Sequence, residues 1–117
     1  MEVQVTGRER DGFAIVEVAG ELDIHSSPVL RKRLANLMDA DRIDLAVDLG
    51  GVGFLDSMGL GVLVGALKRI RGLGGRLQLV VDQEKILRVF RMTALTHVFT
   101  IHDTPEAALI RSSLAPR

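Results

Sequence analysis

Residues Ile43 to Arg71 read IDLAVDLGGVGFLDSMGLGVLVGALKRIR, and two different hydrophobic periods meet inside this stretch. Ile43 to Leu49 is a short β-prone run, read as a buried strand that stops at Gly50-Gly51. From Ser57 to about Arg71 the apolar residues, among them Met58, Leu60, Leu63, Leu67 and Ile70, recur around most of a helix, which Gly72, Gly74 and Gly75 end. A strand feeding a helix through a short turn is half of a βαβ unit, so this segment predicts an α/β fold. Gly59, Gly61 and Gly65 interrupt the helical pattern at about 1 kcal/mol each relative to alanine. Close packing of the helix on a sheet is the expected reason for them.

Working outward, Val3 and Val5 on one side of Asp11-Gly12, and Phe13, Ile15, Val16 and Val18 on the other, predict an opening β-hairpin. Ser27 followed by Pro28 reads as an N-cap with proline at the first helical position, and Leu30, Leu34, Leu37 and Met38 continue a helix to about Met38. Downstream, Leu77 to Val81 reads as a strand, Gln83 to Met92 as a helix and Val98 to Ile101 as a last short strand. Thr104-Pro105-Glu106 starts a C-terminal helix. After the hairpin, strands and helices alternate, which predicts a small single domain over residues 1–117 with a mixed, mostly parallel sheet and about four helices. Ala115-Pro116-Arg117 is expected to be a free tail.

Composition narrows the function classes. The chain has 117 residues, 47% hydrophobic and 26% charged, which is ordinary for a globular domain. Fifteen Lys plus Arg balance fifteen Asp plus Glu, so no basic excess favours a nucleic acid partner. Aromatics are only 3%, with no Trp or Tyr to build base-stacking platforms. The absence of Cys excludes disulfides, thiolate metal sites and cysteine nucleophiles. The start Met1-Glu2-Val3-Gln4-Val5 lacks the pattern of a secretory signal, and no apolar run reaches the roughly 20 residues of a membrane span, so a cytoplasmic location is expected.

In α/β sheets, ligands and reactive groups collect where strands end and helices begin. Two such turns stand out, Gly20 to Ser27 and Asp48 to Gly59. Ser57 lies at a helix start, where its hydroxyl suits an N-cap; Asp56 suits that role equally well. A phosphate on Ser57 would face the positive end of the helix dipole and free N–H groups, and it would add about −1.5 to −2 charges beside Asp56. At an interface, such a like-charge juxtaposition costs several kcal/mol. Other chemistries fit less well. Asp48 resembles a phospho-acceptor at a strand end, with only Asp23 and Asp56 as further acids for a magnesium ion. A serine hydrolase elbow needs G-x-S-x-G, but Leu55 stands two before Ser57, and His25, His97 and His102 have no motif tying them to it. Gly50-Gly51-Val52-Gly53 matches no phosphate-binding motif and reads as a turn. Lys68, Arg69 and Arg71 read as a solvated basic face at a helix C-terminus.

Val47-Asp48-Leu49 through Phe54-Leu55-Asp56-Ser57-Met58-Gly59-Leu60-Gly61 resembles the STAS domain of bacterial anti-sigma factor antagonists. Gly20-Glu21-Leu22-Asp23 resembles the family's G-E-[LV]-D element, and Gly74-Gly75-Arg76-Leu77 its glycine turn. The resemblance implies a non-catalytic regulator without cofactor or metal. Its unmodified form would bind an anti-sigma factor that is also a serine kinase, freeing the sigma factor. It also implies phosphorylation on Ser57, reversal by a PP2C-type phosphatase, and partner contacts from Asp23, Asp56, Met58, Gly59 and Leu60, with Leu60 suited to contact or core alike. Met58 stands where many relatives carry a second hydroxyl residue, which leaves one serine in the motif. A STAS-type sensor binding a nucleotide or other small ligand is the alternative. Monomer and weak dimer both fit.

Overall fold

The computed structural model describes residues 3–114; Ala115-Pro116-Arg117, expected as a tail, lie outside the described residues. Strands β1 (Gln4–Arg10) and β2 (Phe13–Leu22) form the antiparallel hairpin. Its turn, Asp11-Gly12, has positive φ at both residues (53° and 84°), the conformation that a tight two-residue hairpin needs. Helix α1 (Ser27–Asp39) leads to β3 (Asp44–Leu55), α2 (Ser57–Gly72), β4 (Arg76–Val80) and α3 (Glu84–Met92). A 3-10 turn, Leu95–His97, precedes β5 (Thr100–His102) and α4 (Pro105–Leu114). The strands lie in the order β1-β2-β3-β4-β5, with every pair after the first parallel. Right-handed crossovers along a sheet that grows in one direction place α1, α2 and α3 on the same face. Their buried residues, Leu30, Leu34, Leu63, Ile70, Ile86 and Phe90 among them, form one core with Val16, Leu45, Val47 and Leu79 of the strands. The opposite face is covered more sparsely, where Leu109 of α4 meets Phe13, Ile15 and Ala46.

Several local expectations need correction. β3 does not stop at Gly50-Gly51; it continues through both glycines to Leu55. The register with β2 explains how. Between Glu17↔Asp48 and Ala19↔Gly51, and again between Gly20↔Val52 and Glu21↔Phe54, β3 spends one more residue than its partner. Each is a β-bulge. The first bulge shifts the inward phase, so Val52 reaches the core although it breaks the alternation set by Leu45, Val47 and Leu49, and the second restores that phase at Leu55. At Gly51 a Cβ would stand 2.9 Å from the Cβ of Ala19, so the strands approach there only with glycine. β4 pairs with β3 no further than Asp48↔Val80, leaving the bulged half without a neighbour on that side. Gln83 fills the gap: its Nε2 donates to the carbonyls of Gly50 and Val52 at 2.6 and 2.9 Å. Asp48, read as a strand-end carboxylate, lies within the strand, where its Oδ1 accepts from the Gly50 N–H at 2.8 Å.

α1 starts one residue earlier than expected. Ser26 occupies the N-cap position without a side-chain capping bond, and Ser27 lies within the helix, its hydroxyl fully buried and without a hydrogen-bond partner among the described residues. Of the three interior glycines of α2, Gly59, Gly61 and Gly65, only Gly59 is explained by close packing. A Cβ there would meet Leu55 Cδ1 at 2.6 Å and the Leu22 carbonyl at 3.0 Å, whereas at Gly61 and Gly65 it would meet nothing within 4 Å.

Gln83→Leu keeps the side-chain bulk but leaves the Gly50 and Val52 carbonyls without their donor. We expect a loss of about 1–3 kcal/mol of stability in denaturant titration, the cost of unpaired buried acceptors.

Candidate partner-binding site

The two turns singled out in the sequence meet at the C-terminal ends of β2 and β3. Pairing of Leu22 with Leu55, and a 3.1 Å bond from the Asp56 N–H to the Leu22 carbonyl, hold them side by side. In the first turn Asp23 closes a loop on itself. Its Oδ1 accepts from the N–H groups of His25 (2.9 Å) and Ser26 (3.0 Å) and from the Ser26 hydroxyl (3.1 Å). The Ser26 hydroxyl also bonds the Glu21 carbonyl and accepts from the Asp23 N–H at 2.9 Å. The Ser26 backbone N–H is the main cause holding the Asp23 carboxyl below its ordinary value of 3.8, since bonds to the charged form favour it.

In the second turn the choice between Ser57 and Asp56 as cap is settled for Asp56. Its backbone is extended, and its Oδ1 accepts from the Met58 and Gly59 N–H groups at 2.9 and 3.1 Å. Ser57 is then the first residue of α2, exposed, with no hydrogen bond to its hydroxyl among the described residues. This corrects the expectation of several free N–H groups facing a phosphate, because Asp56 occupies two of them.

The remaining predicted contacts divide by burial. Met58 is 41% exposed and can touch a partner, while Leu60 at 7% belongs to the core and Gly59 is buried against Leu55 and Leu22. Three apolar residues that the sequence did not single out join Met58 at the surface: Ile24 (59%), Val29 (50%) and Phe54 (45%). Ile24 sits in the first turn, Val29 in the first turn of α1 and Phe54 one residue before the end of β3. A large side chain inside an otherwise polar turn, as at Ile24, was the available signal. The only phenylalanine in these turns was another. Exposed apolar groups clustered at one edge mark interaction surfaces.

The STAS domain family model matches residues 4–108. This chain belongs to the STAS domain family. It is 35% identical over 109 residues to the anti-sigma-B factor antagonist of Bacillus subtilis, covering 93% of this chain and 99% of the relative. It is 34% identical to the anti-sigma-B factor antagonist of Listeria monocytogenes, covering 88% and 91%. The crystal structure of an anti-sigma factor antagonist from Mycobacterium paratuberculosis superposes with a TM-score of 0.88 at 25% identity, over 94% of this chain and 93% of that one. In this STAS domain the motif serine is thus set on a helix start whose capping bonds it does not make. His25 and His97 lie in the β2–α1 turn and the 3-10 turn, and His102 Nε2 bonds Gln78 Oε1 at 2.8 Å; no bond among the described residues joins a histidine to Ser57. Among the described residues there is no cluster of three or more His, Cys, Asp or Glu placed to hold a metal ion. No helix among them is long and apolar enough to cross a membrane.

Two predictions follow from the turns. Asp56→Ala removes the α2 cap and should cost about 1 kcal/mol in chemical unfolding. Because the folded-state pKa of Asp23 is depressed, its stabilising effect is complete above 3.8 and fades as pH falls below it. The protection of the His25 and Ser26 amides, taken relative to intrinsic exchange at each pH, should therefore fall on acidification in the wild type. In Asp23→Asn it should already be low at neutral pH.

Proposed function

We propose that this STAS domain is an anti-sigma factor antagonist switched by phosphorylation of Ser57. Unmodified, it binds an anti-sigma factor that is also a serine kinase and so releases a sigma factor; phosphate on Ser57 ends the association and a PP2C-type phosphatase restores it. The curated relatives support the antagonist role by name. The observation that carries the switch is the exposed Ser57 hydroxyl, which makes no hydrogen bond among the described residues and lies at the same end of the sheet as the exposed Ile24, Val29, Phe54 and Met58.

The physical sequence is short. A kinase can reach an exposed hydroxyl at a helix start without unfolding anything. The phosphate meets the Asp56 carboxylate, which already holds the Met58 and Gly59 N–H groups, so the new charge is left projecting toward solvent. There it would enter an apolar contact surface, and desolvating a charge without a partner costs several kcal/mol. About 4 kcal/mol is a thousandfold in affinity, enough to break a micromolar complex. Asp23 keeps the neighbouring turn, and with it Ile24, in one conformation before binding. The domain itself is non-catalytic on this reading: the kinase supplies ATP and chemistry, and both act in the cytoplasm where sigma factors work.

Incubation with ATP and the cognate anti-sigma kinase should add one phosphate by intact mass, mapped to Ser57. Ser57→Asp should lose binding to that kinase by calorimetry, and Ser57→Ala should bind but accept no phosphate. Equal affinity of the two variants would rule out the switch.

A further inference from the structure

Formal neutrality hides a segregation of charge. Helix α1 carries three basic residues and one acidic, α2 three basic and none acidic, and α3 three basic and one acidic. The helical layer is therefore formally +7 and the rest of the chain −7. Between α1 and α2 runs a groove of about 320 Å³, floored by Leu34, Ala35, Gly61 and Gly65 and flanked by Arg31 and Arg69. Arg69 pairs with Asp39 at 2.5 Å, and Arg31 has no ion pair among the described residues. Gly61 and Gly65 are exposed, and open space lies above both. Neither glycine brings α1 closer, so their cost to the helix is not offset by packing inside the domain. The groove opens where the Ser57 patch ends: Val29 and Arg31 lie in the first two turns of α1, and Met58 and Gly61 in the first two of α2.

We propose that this groove seats an acidic amphipathic helix of the anti-sigma factor. Apolar side chains of that helix would enter over Gly61 and Gly65 while its carboxylates meet Arg31 and Arg69, the helix-in-groove mode of recognition. The inference rests on the partner reading above and adds the place and chemistry of the contact. The basic flanks select an acidic segment. The narrow apolar floor selects a protein side chain over a phosphate backbone, which would gain nothing from Leu34 or Ala35.

The test measures binding of the full chain to its cognate anti-sigma factor at low and high salt. Arg31→Glu should weaken binding at least tenfold at low ionic strength, with the gap closing near 1 M salt, where screening shortens to about 3 Å. Gly65→Leu should weaken it at least tenfold at both salts by filling the groove. Its melting temperature should equal or exceed the wild type's, because leucine is the better helix former and its Cβ meets nothing within 4 Å there. Loss of binding in Ser57→Asp with full affinity in both groove variants overturns the groove and leaves the switch standing. No binding by the wild type overturns both. A wild-type dimer dissolved by Gly65→Leu, or anionic-vesicle binding lost in Arg31→Glu with unchanged anti-sigma affinity, assigns the groove to another occupant and overturns the proposal.

Discussion

The site depends on the bulged pairing of β2 with β3. Beyond its last pair with β4 the strand runs on from Leu49 to Leu55 along β2, through two bulges between which Val52 turns inward, and it delivers Asp56 to the carbonyl of Leu22. β3 pairs with β4 only as far as Asp48↔Val80, so beyond that point β2 is its only strand neighbour. The extension exposes backbone carbonyls that no strand covers, and an unpaired buried carbonyl costs about as much as a hydrogen bond. Gln83, from the start of the next helix, satisfies two of them with one amide, and Asp48 ties down the first bulge from within β3. Residues distant in sequence thus set where Ser57 stands.

The order of elements was legible because each strand and helix carries its own hydrophobic period and most carry their own stop signals. The hairpin at Asp11-Gly12, the α1 helix and the long α2 helix appear where periodicity places them. The bulged half of β3 was not legible. Gly50-Gly51-Val52-Gly53 has the composition of a turn, and the reason it is a strand lies in contacts with Ala19 and Gln83 that no local window contains. The cap of α2 was half legible: adjacent Asp56 and Ser57 both qualify chemically, and only backbone geometry separates them. The family motif singled out Ser57 and left Leu60 open between contact and core, but it gave no hint that Phe54, Ile24 and Val29 are surface. That division follows from placement: Leu60 is on the buried side of α2, Phe54 is the strand neighbour of the inward Leu55, Val29 is on the exposed side of α1, and Ile24 is in the turn that Asp23 closes.

The division of roles between Asp56 and Ser57 has a physical logic. A serine that capped α2 with its own hydroxyl would lose that bond on phosphorylation, and the fold would feel the mark. With Asp56 holding the helix start, the Ser57 hydroxyl carries no structural duty. Modification can then change a surface without changing the domain beneath it, and its whole effect can fall on a partner. The same arrangement places a permanent carboxylate beside the mark, which keeps a phosphate from folding back onto the helix N-terminus.

Zero net charge, taken alone, argued against anionic partners. The structure shows why a sum over the chain misleads: α1, α2 and α3 concentrate basic residues on one face, while Glu21, Asp23 and Asp56 gather at the strand ends beside it. Ser57 lies at this border, where the basic helical layer begins. If an acidic segment approaches the α1–α2 groove, a phosphate at its mouth opposes the same carboxylates that Arg31 attracts. Ser57 and Gly61 are four residues apart in α2, a rise of about 6 Å, which is within the screening length of roughly 8 Å, so the repulsion is felt at the groove's near end. One added charge then acts against the binding surface at the point where its attraction starts.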